Sequence, residues 1–233
     1  MSEIVAGSDG ADSRTGGADS ILAELFRVMK HDLNVSEALL ESAVQRFSMK
    51  VAEVPDHKKL LGAKSNFLSA LNKATMTFKT LHRGILILGA KKYKISIVGK
   101  RADGSYETAS KTLEISNADF IDSKDEIIET FLLDMFKQLN HLSIENTKDF
   151  ANLFEDYAKL VGVLPDNINR SKERASLKKD LFKATKLSWK NFVKGLLFLG
   201  FTEFDIVISI NHKSGKLTTH SRKIILREKE DIE

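Results

Sequence analysis

The side chains in this chain whose spacing suggests chemistry are lysines. Lys179, Lys183, Lys186, Lys190 and Lys194 follow one another at intervals of four, three, four and four. They fall in an expected long helix, where that period lines five ammonium groups along one stripe. Like charges at i, i+4 repel by a few tenths of a kcal/mol each, so something must offset them. A polyanion would do so, since each phosphate neutralised releases a counterion and strengthens binding at low salt. Acidic helices of the same chain, or of a second copy, would do so too; ten acids meet three lysines between Asp119 and Asp156.

A second basic group lies in the first half. From His57 to Ala102 there are 46 residues with eleven Lys or Arg and no Asp or Glu, where about six acids would be expected. Within it Lys79, Arg83, Lys91, Lys92, Lys94, Lys100 and Arg101 are candidate phosphate contacts. Tyr93 to Lys100 alternates, with Tyr93, Ile95 and Ile97 on one face and Lys94, Ser96, Val98 and Lys100 on the other. A sheet face edged with Lys and Arg suits the backbone of a single-stranded nucleic acid, with exposed rings stacking on bases. Tyr93 and Tyr106 are the rings expected at the surface; Phe67, Phe78, Trp189 and Phe192 fall on apolar helix faces and read as core. No set of Asn, Gln or Arg suited to reading base edges is evident, so backbone contact with little sequence preference is expected.

Other chemistry is poorly represented. The chain has no cysteine, which removes disulfides, thiolate catalysis, zinc fingers and iron–sulfur clusters together. His31, His57, His82, His141, His212 and His220 lack metal-ligand spacing. Gly84-x4-Gly89-Ala-Lys91 lacks the Gly-Lys-Ser/Thr ending and the preceding strand of a phosphate-binding loop. No nucleophile elbow or dinucleotide-binding glycine pattern occurs. The expectation is a protein with no catalytic residues, metal or cofactor. The longest apolar runs, Gly84–Ala90 and Val193–Phe201, are far shorter than a membrane span. The N-terminus lacks a basic-then-apolar signal pattern, and a cytoplasmic protein is expected.

Residues 1–19, rich in Gly, Ser and Asp, read as a disordered tail. A helix is expected from Ser20, with Ile21, Leu22, Leu25, Phe26 and Met29 inward. A second, capped by Asn34 with Glu37, carries Leu39, Leu40, Val44, Phe47 and Val51. A long third helix is expected from Ser65 through Phe67, Leu71, Ala74, Phe78 and Leu81 to Arg83-Gly84. Strands follow at Ile85–Leu88, Tyr93–Lys100 and Glu107–Ile115. The alternative carries the helix to Leu88 with Gly89 as its cap, leaving a two-stranded hairpin. The pattern then restarts: Ser123 with Glu126 opens a helix, Thr147 opens the next, and Ser176 opens a long helix through Lys194 closed by Gly195. Strands near Leu196–Leu199, Phe204–Asn211 and Leu217–Leu226 complete the chain.

The halves match in order. Val51–Asp56 aligns with Val161–Asp166, and these segments hold the two prolines of the chain. At an offset of 111, Phe78-Lys79 aligns with Trp189-Lys190, Arg83–Gly89 with Lys194–Gly200, and Gly104 with Gly215. The expected fold is α+β: a tandem duplication, each copy two short helices, one long helix and a small antiparallel meander or hairpin. Repeat 1 would span 20–118 and repeat 2 119–228, with a charged tail at 229–233. A winged-helix arrangement, with the lysine stripe on its recognition helix and Lys213-Ser-Gly-Lys216 at the wing tip, is a minor alternative. The expected function is non-catalytic nucleic-acid binding, RNA or single-stranded DNA before duplex DNA, without a membrane. The alternative is an adaptor that docks an acidic partner, or forms homo-oligomers, through paired basic and acidic surfaces.

Overall fold

The computed structural model describes residues 10–52, 57–114, 125–140, 147–160 and 168–226. Among them are eight α-helices: α1 (Gly10–Asp32), α2 (Glu37–Ala52), α3 (His57–Asn72), α4 (Phe78–Ile87), α5 (Asp125–Leu139), α6 (Thr147–Leu160), α7 (Ile168–Leu177) and α8 (Trp189–Phe198). Four strands, β1 (Ala90–Arg101), β2 (Tyr106–Glu114), β3 (Phe201–His212) and β4 (Leu217–Ile225), form one antiparallel sheet in the order β2-β1-β3-β4. The chain is therefore mixed α+β. Both prolines, Ser123 and Ile115 lie outside the described residues.

The expected long helices are each two elements. The first breaks over residues 73–77, where Thr77 turns extended and its hydroxyl accepts from the Thr80 N–H at 3.2 Å to start α4. Ser188 starts α8 in the same way, accepting from Asn191 N–H at 3.2 Å. Thr and Ser are strong N-caps because the side-chain oxygen satisfies an orphan helix N–H, and here that local bond wins over helix continuation. Ile85–Leu88 and Leu196–Leu199, expected as strands, instead carry helices α4 and α8 to their ends. Gly89 and Gly200, at φ of 81° and 83°, are the left-handed residues that stop them. Gly84 and Gly195 lie inside these helices, not at their ends.

Smaller differences have equally local causes. Helix α1 begins at Gly10, so it takes in residues that composition assigned to the tail; extending a formed helix costs far less than nucleating one. Its C-terminus is closed by Asn34 at φ 52°, so Ser36, not Asn34, caps α2 by accepting from Leu39 N–H at 3.3 Å. Leu39 consequently points to solvent rather than inward.

A shift of 111 residues maps α4, β1 and β2 onto α8, β3 and β4 with identical bounds. It maps the β1–β2 register onto the β3–β4 register. It also maps the β1–β3 ladder onto itself: Ile95↔Ile208 becomes Ile97↔Ile206, and Ser96 faces its own counterpart Val207. A pseudo-two-fold axis thus crosses the sheet at Ser96 and Val207. Near the helix N-termini the counterparts Phe78 and Trp189 stack on each other, centroids 5.7 Å apart.

The axis also relates the packing. A Cβ on Gly84 would lie 2.5 Å from a Phe26 ring carbon of α1, and one on Gly195 would lie 2.5 Å from Phe136 of α5. Each glycine lets a helix approach an aromatic ring. Helix α1 reaches across to β4 through Arg222–Glu24, and α5 reaches to β2 through Lys111–Asp134. One apolar core joins residues of both halves. It covers the inner sheet face, where Tyr93, Ile95, Ile97, Phe204, Ile206, Ile208 and Ile210 are buried. The outer face alternates with it and carries half-buried or exposed side chains.

Candidate nucleic-acid interface

The lysine stripe does not exist as one surface. After Leu177 the chain enters a π-turn, Lys183 N–H bonding to Lys178 C=O at 3.2 Å, and then an irregular link to Ser188. Lys179 sits in the π-turn, Lys183 at its end, Lys186 in the link, and Lys190 and Lys194 on α8. The 3.6-residue phase that aligned them is lost at the break. Lys194 is engaged, donating to Glu173 at 2.5 Å. Glu173 belongs to α7, outside the acid-rich stretch Asp119–Asp156, and the pairing concerns Lys194 alone. A winged helix with this stripe on its recognition helix is excluded by the same break.

Arg101 also departs from its expected role. Its guanidinium lies 4.5 Å over the Phe201 ring and donates to Glu107 at 2.8 Å, to Leu199 C=O and to Leu139 C=O. The counterpart of Arg101 is His212, whose Nδ1–H donates to Leu88 C=O at 3.2 Å while Nε2 shares a hydrogen bond with the Thr218 hydroxyl at 2.9 Å. Leu88 and Leu199 are counterparts, as are Glu107 and Thr218. Each half thus uses the last residue of its first strand to satisfy a helix-terminal carbonyl of the other half. Arg101 is a structural lock, not a surface cation.

Lys79 and Arg83 are half-buried on α4. Tyr93, expected at the surface, is fully buried, and its hydroxyl shares a hydrogen bond with His82 Nδ1 at 2.5 Å; burial pushes its phenol well above the usual range, so it keeps its proton.

Lys92, Lys94 and Lys100 do share the outer face of β1, as the alternation predicts, and Lys91 is exposed at the β-bulge beside Lys92. The neighbouring strands supply Thr108, Ser110 and Thr112 from β2, Ser209 and Asn211 from β3, and Thr219 and Ser221 from β4. Tyr106, 64% exposed, lies beside Lys100, whose ammonium is 5.9 Å from the ring centroid. The two ends of this face differ. Where β1 ends, Lys100 and Lys223 flank Glu203 at 4.0 and 3.3 Å, and burial raises the pKa of Asp205, with Glu203 adding to the effect against Lys223. Where β1 begins, the β3–β4 turn folds alongside, Lys213 N–H donating to Gly89 C=O at 2.9 Å. That contact brings exposed Lys213 and Lys216 to the end carrying Lys91, Lys92 and Lys94. Those two lysines lie more than a hundred residues from β1, so only the β1–β3 pairing reveals the grouping.

Among the described residues, no three or more His, Asp or Glu are grouped so that they could hold a metal ion. No helix among them is long and apolar enough to cross a membrane. No protein-family model, curated protein or solved structure matched the chain.

Proposed function

We propose that the chain is a non-catalytic nucleic-acid-binding protein that contacts the phosphate backbone of RNA or single-stranded DNA through the outer face of its sheet. The observation that carries this reading is the row of exposed lysines on β1, set among hydroxyl side chains on a four-stranded face opposite the helices. Flat sheet faces with Lys and Arg accept a flexible strand, whereas reading duplex bases requires an element that enters a groove. We also propose that the halves descend from one duplicated module, on the strength of the common 111-residue offset in caps, registers and glycines.

A mobility-shift comparison of 20-mer RNA, single-stranded DNA and duplex DNA at 50 mM salt tests the reading. A shift of the single strands supports it; no shift of any oligomer contradicts it. The alternative, assembly through paired charged surfaces, has its own motive in Glu203 and Asp205, the counterparts of Lys92 and Lys94. Light scattering without nucleic acid checks it: oligomers that dissociate in high salt would support assembly, and a salt-independent monomer would contradict it.

A further inference from the structure

We infer that the sheet face carries a base platform as well as a phosphate track: Tyr106, where β1 ends, stacks on one base of a single strand whose phosphates lie along Lys92, Lys94 and Lys100. This rests on the nucleic-acid reading above and adds to it a ring that grips a base. Among the described residues Tyr106 is the aromatic side chain left exposed, at 64%. It opens β2 directly across from Lys100, whose ammonium stands 5.9 Å from the ring centroid, within cation–π range. Lys100 also lies 4.0 Å from Glu203. A ring beside a cation is the pairing that single-strand binding uses, because every base has a π-face to stack and a phosphate next to it.

The track runs along β1 on its β2 side. Between Lys94 and Lys100 the paired rows are Ser96–Ser110 and Val98–Thr108, short side chains over which a strand can lie close to the sheet. Glu114, across from Lys92, is the acid of the track and sits at the end away from the ring. On the other side of β1, Glu203 faces Lys100 and Asp205 faces Val98. Those carboxylates repel phosphates and so favour the side that ends at Tyr106. Lys92 and Lys100 are eight residues apart, about 27 Å along a strand. At a helical rise of about 3.4 Å per nucleotide, about eight nucleotides cover that length, so a 12-mer can meet lysines and ring together. The pseudo-symmetry supplies an internal comparison. Shifted by 111, Tyr106 becomes Leu217, which opens β4, is 69% exposed and faces Asn211. The two corners share backbone and exposure, and they differ in the ring and its facing lysine.

The test is fluorescence anisotropy of labelled 12-mers with the full chain between 50 and 200 mM KCl, using dT, rU and an abasic deoxyribose-phosphate strand. The parent should bind dT and rU about fivefold or more tighter than the abasic strand. Y106A should bring dT and rU down to the abasic affinity while leaving the salt slope unchanged, since stacking releases no counterion. Y106F should retain the difference, which separates the ring from lost folding, and L217A should stay within about twofold of the parent. K92A/K94A should weaken binding to all three and reduce the magnitude of the slope by about 1.4. If the parent binds the abasic strand as tightly as dT, or Y106A matches the parent on dT, the base platform is overturned while phosphate binding stands. A loss in L217A as large as that in Y106A would also overturn it, by showing general apolar contact. An unchanged slope in K92A/K94A would overturn the track. If the parent binds no strand at 50 mM, the functional reading itself fails.

Discussion

At the scale of single residues, the charged groups divide by what they touch. Arg101 is tied to two carbonyls, a carboxylate and a ring, so Arg101→Ala would leave Glu107 half-buried beside lost hydrogen bonds. The expected cost is about 2–4 kcal/mol of stability, read from urea unfolding, with oligonucleotide affinity of the folded variant unchanged. A fall in affinity without a fall in stability would return Arg101 to the surface. His220 is a second such residue. It is 5% exposed, its Nδ1 lies 3.2 Å from Asp32, and its Nε2 is buried without a hydrogen-bond partner. Burial lowers its pKa, with His212 and Arg222 pushing the same way and Asp32 opposing. A folded-state pKa below the unfolded value favours the neutral ring in the native state. The stability this contributes is complete above about pH 6.5 and is lost as pH falls below it. Urea midpoints at pH 7.5 and 5.5 should therefore separate more for the parent than for His220→Gln. Equal separation in both would contradict the assignment.

At the scale of elements, the two glycines inside α4 and α8 decide how closely helices approach. In an exposed helix Gly→Ala gains about 1 kcal/mol. At Gly84 and Gly195 the new methyl would meet the fully buried rings of Phe26 and Phe136 at 2.5 Å, and overpacking of that kind costs about 1–3 kcal/mol. G84A and G195A should each lower the thermal midpoint; a rise in either would show that the ring yields. These glycines also mark the limit of what was legible. Their recurrence at the 111-residue offset was plain, and so were the hairpins, whose period-2 alternation and turn glycines survive unchanged. Their meaning was not, because a helix-ending glycine and a helix-contact glycine look alike until the partner ring is known. The long helices failed for a related reason: apolar residues stay in phase across residues 73–77, while one Thr or Ser hydroxyl breaks the backbone. The basic strand face followed from alternation alone, whereas Lys213 and Lys216 joined it only through long-range pairing.

At the scale of the whole molecule, one sheet spans both halves, and α1 and α5 each brace the hairpin of the other half. The scaffold is nearly two-fold, but its charge is not. The measurement that tests the central claim most directly is the salt dependence of single-strand binding by the unaltered full chain. A log–log slope clearly below zero between 50 and 200 mM salt, steep enough to mark several phosphate contacts, is the predicted result. Absent binding at 50 mM, or a slope near zero, would contradict a phosphate-binding sheet face.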